Sequence, residues 1–188
     1  MSGQAIRKGV AFNQFLTEEI QTTDRAYLPA LGKILTREKW TLSVIESVTG
    51  GGIARRLVEL PGCSNYFLGG VVAYHPKMKV QYGRVSPKTM ADHGVVSAMV
   101  TEEMAAGIKK ITQSDISIAS NGIAGPPTEG YSKDQTGTFF LSWNIHDRMI
   151  KTKRFKLEGG RNDVIDKAIY IALSMCSRYL ENELRKDN

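Results

Sequence analysis

The sequence TLSVIESVTGGG, residues 41–52, indicates the kind of fold that this chain adopts. Its first half, up to Ile45, is a short apolar run of the kind that forms a buried β-strand. Its second half contains a carboxylate, two hydroxyls and three consecutive glycines, and it leads into IARRLVEL (53–60), which has the apolar spacing of a helix. A strand that turns into a helix predicts an α/β domain with Ser47 and Thr49 at the carboxyl edge of a sheet, where ligands of open α/β sheets bind.

Helix-like and strand-like segments alternate along the rest of the chain. Apolar spacing predicts strands at 67–74, 115–120, 136–145 and 149–157, and helices at 28–39, 51–59, 77–82, 97–111 and 162–184. The helix at 97–111 is predicted to begin at the N-cap Ser97 and to bury the face formed by Val100, Met104, Ile108 and Ile111. A further short helix is predicted to begin at Ser86-Pro87.

This order of elements predicts one α/β domain. We expect three layers, a mixed β-sheet flanked by helices, over residues 28–188. Residues 1–27 are predicted to be an N-terminal extension that is helical in part. A length of 188 residues, with 41% hydrophobic and 23% charged residues, is sufficient to bury one sizeable core.

Composition narrows the function classes. No run approaches the roughly 18 apolar residues of a membrane span, and the first residues lack the pattern of a secretory signal. The two cysteines, Cys63 and Cys176, are isolated, which favours free thiols in a reducing compartment, so a cytoplasmic location is predicted. The net charge of +6 comes from dispersed basic residues without an aromatic–basic ladder, so no nucleic-acid or membrane partner is predicted.

The glycine-rich turn after the first strand admits three readings. Ser47 is a candidate nucleophile, with the backbone N–H groups of Thr49, Gly50 and Gly51 as donors to an oxyanion. The same amides at a helix N-terminus are equally suited to a phosphate. The third reading is a plain connection, because the turn lacks the GK[ST] of a phosphate-binding loop, the GxGxxG of a dinucleotide site and the GxSxG of a hydrolase elbow.

Two other segments end predicted strands with chemically useful groups. In YHPKMK (74–79), Lys79 is able to act as a general base if burial lowers its pKa, and Tyr74 is able to relay a proton; the alternative is a surface lysine and an edge tyrosine. In NGIAGPP (121–127), Gly122 and Gly125 permit close approach of a ligand to the backbone, or a structural turn. The three histidines have no partner spacing that indicates a metal site.

Taken together, these segments resemble the CinA C-terminal domain family, which includes nicotinamide mononucleotide deamidases. The matching segments occur in the family's order and cover roughly residues 28–184: ESVTGG (46–51), PGCSNYFLGGVVAY (61–74) with Lys79, GVVS (94–97), NGIAGP (121–126), GT (137–138) and GGR (159–161). Each motif is weak alone. Six motifs in one order at compatible spacing make the resemblance strong.

The resemblance implies an amidohydrolase that converts nicotinamide mononucleotide to nicotinate mononucleotide and ammonia. It implies that Ser47 is the nucleophile and that Tyr74 and Lys79 activate it. It implies no cofactor and no metal, and Arg161 is expected to pair with the 5′-phosphate. The remaining predicted substrate-binding residues are Glu46, Thr49, Gly50, Gly51, Asn121, Gly122 and Gly125. Two readings of Glu46 stay open, orientation of the site or contact with the cationic ring of the substrate.

Several positions depart from the pattern of the family. The family usually has a small residue or cysteine at Val48, Asn at Pro76, Thr at Asn121 and an acid at Gly160, and its loop at 127–136 is usually glycine-rich. An alternative function is therefore an inactive paralogue that binds a nucleotide or a protein partner, and another is hydrolysis of a different amide. The expected ligand is a small nucleotide, and apolar helix faces favour a homodimer.

Overall fold

Five strands form one mixed sheet in the order β2-β1-β3-β4-β5 in the computed structural model, which describes residues 27–125, 136–147 and 149–185. The elements in chain order are α1 (Tyr27–Glu38), β1 (Leu42–Glu46), α2 (Gly52–Val58), a 3₁₀ turn (Cys63–Asn65), β2 (Phe67–Val72), α3 (Pro76–Gly83), α4 (Pro87–His93), α5 (Ala98–Thr112), β3 (Ile116–Gly122), β4 (Thr138–Ile145), β5 (Met149–Lys156) and α6 (Arg161–Leu184). The predicted extension lies outside the described residues, except for Tyr27.

The parallel part of the sheet determines where a site can form. Strand β1 runs parallel to β2 on one side and to β3 on the other, whereas β3, β4 and β5 pair antiparallel. Glu46, the last residue of β1, lies beside Val72 of β2 and Ser120 of β3. The carboxyl ends of three neighbouring strands therefore meet at one edge of the sheet.

One face of the sheet is covered by α1, α2 and α6. Leu42 and Val44 of β1 contribute to this core together with Phe139 and Trp143 of β4, and all four are buried. The indole N–H of Trp143 donates to the carbonyl of Ala172 in α6, at 2.9 Å, so the largest buried side chain on this face has its polar atom satisfied.

The other face is covered by α3 and α5, which bury Ile45, Met104 and Ala119. These two helices approach closely, because a Cβ at Gly107 of α5 would lie 1.9 Å from the carbonyl oxygen of Gly83 in α3. A glycine is required there for packing. Because Gly107 has no side chain, α3 can lie close to α5, at the edge where the three parallel strands end.

The predicted fold class, a mixed α/β sheet packed against helices, is confirmed, and so is the order of elements over the described residues. One core prediction is wrong. Ile111 is 43% exposed, because it lies in the last turn of α5 and the core cluster on that side ends at Ile108. Among the described residues, no helix combines the length and the apolar character needed to cross a bilayer.

Candidate active site

The turn after β1 holds Ser47 at the edge of the sheet. Its backbone N–H donates to the carbonyl of Ser120 at 2.8 Å, so the pairing of β1 with β3 continues one residue past the strand. The amide of Gly50 donates back to the carbonyl of Ser47 at 3.2 Å and closes the turn. Gly50 and Gly51 have φ values of 60° and 99°, a region that favours glycine. The consecutive glycines are thus required by the backbone of the turn.

The carboxylate of Glu46 lies beneath this turn and is only 1% exposed. Oε2 accepts hydrogen bonds from the hydroxyl of Thr49 at 2.6 Å and from the amides of Gly51 and Ile53, both at 3.0 Å. Oε1 accepts from the amide of Ala54 at 2.8 Å. Glu46 therefore satisfies the free N–H groups at the start of α2, where a negative charge also interacts favourably with the helix dipole.

Four residues that were predicted to bind the substrate form hydrogen bonds within this turn instead: Glu46, Thr49, Gly50 and Gly51. The hydroxyl of Thr49 also lies 2.5 Å from that of Ser120, and both side chains are buried. The amides of Gly50 and Gly51 donate to Ser47 and Glu46, so they are not free to bind an oxyanion. Two of the three expected oxyanion donors are therefore engaged within the turn, which corrects that part of the prediction. Among the described residues, no hydrogen bond is recorded for the amides of Val48 and Thr49, and these two remain as donors.

Helix α3 carries Lys79 over the ends of the strands. The helix is capped by His75, whose Nδ1 accepts from the amide of Lys77 at 3.2 Å, and Pro76 occupies the first turn. Proline is suited to that place because the N–H that it lacks would have no partner within the helix. Lys79 is then the fourth residue of a helix that begins three residues after Ala73.

The Lys79 amine is buried among neutral groups. Its Nζ donates to the carbonyl of Ala73 at 3.1 Å and to Oδ1 of Asn121 at 3.2 Å, and Ser47 Oγ is not among its recorded partners within the described residues. The side chain is 1% exposed, and no described carboxylate forms an ion pair with it. Burial without a compensating negative charge lowers the pKa of Lys79 from 10.5 to about 8.

Arg161, the first residue of α6, joins two segments at the rim. Its Nη1 donates to the carbonyl of Gly125 at 2.8 Å, and its Nη2 donates to the hydroxyl of Tyr74 at 3.1 Å. Tyr74 is 61% exposed and lies two residues after the end of β2. The guanidinium therefore ties the segment after β2 to the segment after β3, beside the buried lysine.

A cavity of about 260 Å³ opens between these groups. It brings together all three residues predicted to be catalytic, Ser47, Tyr74 and Lys79. Four of the eight predicted substrate-binding residues also line it: Asn121, Gly122, Gly125 and Arg161. The other four predicted residues, Glu46, Thr49, Gly50 and Gly51, are absent from its lining.

The apolar wall of this cavity was not predicted from the sequence. Residues without a predicted role line it: Val48, Val95, Val96, Ile123 and Ala124, together with Pro76. GVVS (94–97) was noticed as a motif, but apolar side chains carry no chemical signal, so only the fold reveals their contribution. Among residues 27–125, 136–147 and 149–185, no group of three or more side chains suited to a metal ion occurs.

Comparisons with known proteins agree with this architecture. The CinA C-terminal domain family matches residues 25–180. A CinA-like protein of Thermotoga neapolitana is 35% identical over 153 residues, which are 81% of this chain and 37% of that protein. A CinA-like protein of Desulfotalea psychrophila is 34% identical over 176 residues, 93% of this chain and 42% of that protein. The chain thus spans about two fifths of the length of these relatives.

Solved structures show the same fold. The competence or damage-inducible protein of Enterobacter asburiae superposes with a TM-score of 0.78 at 30% identity, over 82% of this chain and 96% of that one. A CinA superfamily protein of Enterobacter cloacae gives a TM-score of 0.77 at 32% identity, over 82% and 90% of the two chains. Both superpositions cover more than four fifths of each chain.

Proposed function

This chain belongs to the CinA C-terminal domain family, and from that premise we propose that it hydrolyses the carboxamide of nicotinamide mononucleotide, giving nicotinate mononucleotide and ammonia. The observation that carries the proposal is a buried lysine amine, without a carboxylate partner in the described residues, in one cavity with a serine at the end of a strand. A lysine whose pKa is lowered to about 8 is partly neutral near neutral pH, as a general base must be.

In the first step, Ser47 Oγ attacks the carbonyl carbon of the amide while the neutral Lys79 amine accepts the hydroxyl proton. The carbonyl oxygen becomes an oxyanion, for which the amide of Val48, a residue of the cavity lining, is an available donor. Lys79 then gives the proton to the amide nitrogen, with Tyr74 as a relay. The C–N bond breaks, ammonia leaves, and an acyl ester of Ser47 remains.

In the second step, water attacks the ester carbonyl and gives a proton to Lys79. The bond between the carbonyl carbon and Ser47 Oγ breaks, and Lys79 returns its proton to the serine. The carboxylic acid that forms releases its own proton, which the ammonia takes up in solution, and nicotinate mononucleotide leaves as a carboxylate. The net reaction consumes one water and needs no cofactor. Each proton moves between groups that line the same cavity.

The lining of the cavity supports a pyridine nucleotide as the substrate. The wall formed by Val48, Val95 and Ile123 is apolar and suits a flat aromatic ring. At the rim, the Arg161 guanidinium suits the 5′-phosphate, since arginine binds phosphate oxygens in pairs. The site is thus apolar where the ring would lie and cationic where the phosphate would lie.

A second candidate is a protein that binds a nucleotide, or a protein partner, without turnover. The observation in its favour is that Lys79 Nζ has Ala73 O and Asn121 Oδ1 as partners and has no recorded bond to Ser47 Oγ in the described residues. Saturable binding of pyridine nucleotides in calorimetry, with no ammonia released, would favour this candidate. The cytoplasmic location and the homodimer remain predictions.

The test of the proposed function is ammonia release from nicotinamide mononucleotide by the wild-type protein and by Ser47→Ala. We expect the variant to lose activity by about 1,000-fold or more, because no other serine, threonine or cysteine of the described residues lines the cavity. The control is Ser64→Ala, which removes an exposed serine of the 3₁₀ turn at the opposite end of β2. Full activity in Ser47→Ala would exclude the mechanism.

A further inference from the structure

Asn121 occupies an unusual place for an amide side chain, because it is fully buried at the end of β3 and both of its polar atoms have partners. Its Nδ2 donates to the carbonyl of Val95 at 2.8 Å, and its Oδ1 accepts from Lys79 Nζ at 3.2 Å. A backbone carbonyl only accepts hydrogen bonds, so the NH₂ group has to face Val95. The oxygen is consequently fixed toward the lysine.

The Lys79 amine is held from two sides. Ala73 O and Asn121 Oδ1 each accept one N–H. A neutral amine has two N–H bonds, one bond to carbon and one lone pair, so these two acceptors and the side chain itself determine the direction of the lone pair. Asn121 follows Ser120 on β3, and Ser47 follows Glu46 on β1, where Glu46 and Ser120 are register partners. The serine and the asparagine are therefore neighbours at the sheet edge.

We infer that Asn121 is a positioning residue for the proposed reaction, which orients the Lys79 amine so that its lone pair faces the hydroxyl of Ser47. The inference rests on the proposed function, and it gives Asn121 a role beyond contact with the substrate. A neutral amide is suited to this role because it accepts an N–H without adding a negative charge beside the amine. An aspartate would form an ion pair and hold the amine in its charged state.

Within the described residues, no carboxylate is bonded to the Lys79 amine, so its contact with Asn121 is the one to test. Tyr74 and Arg161 are the other titratable side chains that line the cavity. On β1, Glu46 accepts from the amides at the start of α2, and on α5 Glu103 accepts from the amide of Ser86. Among the described residues, neither carboxylate is bonded to the lysine. A carboxylate introduced at position 121 would thus be its first direct anionic partner.

The experiment follows the Lys79 side chain directly. The ¹³Cε resonance of Lys79, assigned from its loss in Lys79→Met, is titrated by NMR in the full chain, and the pH profile of kcat/KM for nicotinamide mononucleotide is recorded in parallel. In wild type we expect both midpoints near pH 8. Asn121→Asp should raise both by about 1 to 3 pH units, as expected for an opposite charge in contact.

A second variant removes the contact without adding charge. Asn121→Leu should lower kcat by about 10- to 100-fold with little change in KM, because it leaves the base free to turn away from the serine. Folding of both variants is checked by circular dichroism. The matched control is Asn65→Asp, which adds the same charge at an exposed residue of the 3₁₀ turn, at the other end of β2; it should leave both midpoints unchanged.

The outcomes separate this inference from the proposed function. An Asn121→Asp variant whose Lys79 resonance titrates as in wild type would overturn the inference, and so would an Asn121→Leu variant with wild-type kcat. If wild type releases no ammonia, the proposed function fails, whereas the resonance in Asn121→Asp still decides whether Asn121 contacts and tunes the amine. A raised midpoint in that variant, with a reduced kcat in Asn121→Leu, supports the inference.

Discussion

Two ionisable side chains are buried at the same edge of the sheet, and their surroundings are opposite in kind. Glu46 of β1 and Lys79 of α3 are each 1% exposed. The carboxylate accepts four hydrogen bonds, three of them from backbone amides at the start of α2. The amine has two neutral oxygens as partners and no ion-pair partner in the described residues.

These surroundings indicate which of the two groups stabilises the fold and which is available for chemistry. The donors around Glu46 replace the water that a buried carboxylate loses, so its charge is well accommodated. Two carbonyl-type oxygens do not compensate the charge of Lys79 to the same extent, and the pKa of the amine falls to about 8. A buried group that is held but not neutralised is the pattern expected of a catalytic residue.

Lys79→Met is the variant expected to have the largest effect. Removing the general base should lower kcat/KM for nicotinamide mononucleotide by about 100- to 10,000-fold. The control is Lys77→Met, which removes an exposed lysine from the same helix and should leave activity near the wild-type level. Comparable activity in the wild type and Lys79→Met would mean that the buried amine is not the base.

The same variant should be more stable than the wild type at neutral pH. Below about pH 8 the lysine is charged in both the folded and the unfolded chain, and folding has to bury that charge. The shift from 10.5 to about 8 corresponds to about 3 kcal/mol in the free energy of unfolding. Wild-type stability relative to Lys79→Met should rise between pH 8 and 10.5, because the unfolded state binds more protons there. Urea denaturation of both proteins at pH 8 and at pH 10.5 measures how far their free energies of unfolding converge.

Glu46→Ala should lower the stability of the fold, whereas Lys79→Met should raise it at neutral pH. The substitution leaves the amides of Gly51, Ile53 and Ala54 without their acceptor, and we expect the free energy of unfolding to fall by about 3 kcal/mol. Urea denaturation at pH 7 provides the measurement.

A matched substitution at the other end of α2 controls for loss of a glutamate. Glu59 is exposed and pairs with Arg55 and Arg56, so Glu59→Ala should cost less than about 1 kcal/mol. Equal losses of stability in Glu46→Ala and Glu59→Ala would refute the view that the buried carboxylate holds the turn.

The fold could be predicted because its signals are local. Apolar spacing predicted the strands and the other helices of the described chain, Ser86-Pro87 predicted α4, and Ser86 and Ser97 do cap α4 and α5. Ile111 was misplaced because periodicity reports the direction of a side chain and not how far along the helix the core extends. Where the packed neighbours end depends on the third dimension.

The candidate site could be predicted only in part. The serine, tyrosine and lysine that share the cavity were predicted from residue type and from motif order. For Glu46, the sequence did not decide between orienting the site and contacting the substrate. A carboxylate that ends a buried strand just before a helix is a recognisable signal for binding that helix's N-terminus, and it was available in the sequence. The contacts of Lys79 with Ala73 and Asn121 join residues 6 and 42 positions apart, and such pairings appear only when the strands are assembled.

Arg161→Met is expected to have the smallest effect, and it separates binding of the phosphate from chemistry at the amide. Like Lys79, this arginine has neutral partners, Gly125 O and Tyr74 OH, but it lies at the rim, where a phosphate can reach it. The variant should raise KM for nicotinamide mononucleotide by about 10- to 100-fold, the usual value of a charge-assisted hydrogen bond. For nicotinamide riboside, which has the same amide without the phosphate, kcat/KM should change much less. If both substrates lose activity equally, Arg161 acts by holding Tyr74 in place, and the cationic rim has no part in recognising the phosphate.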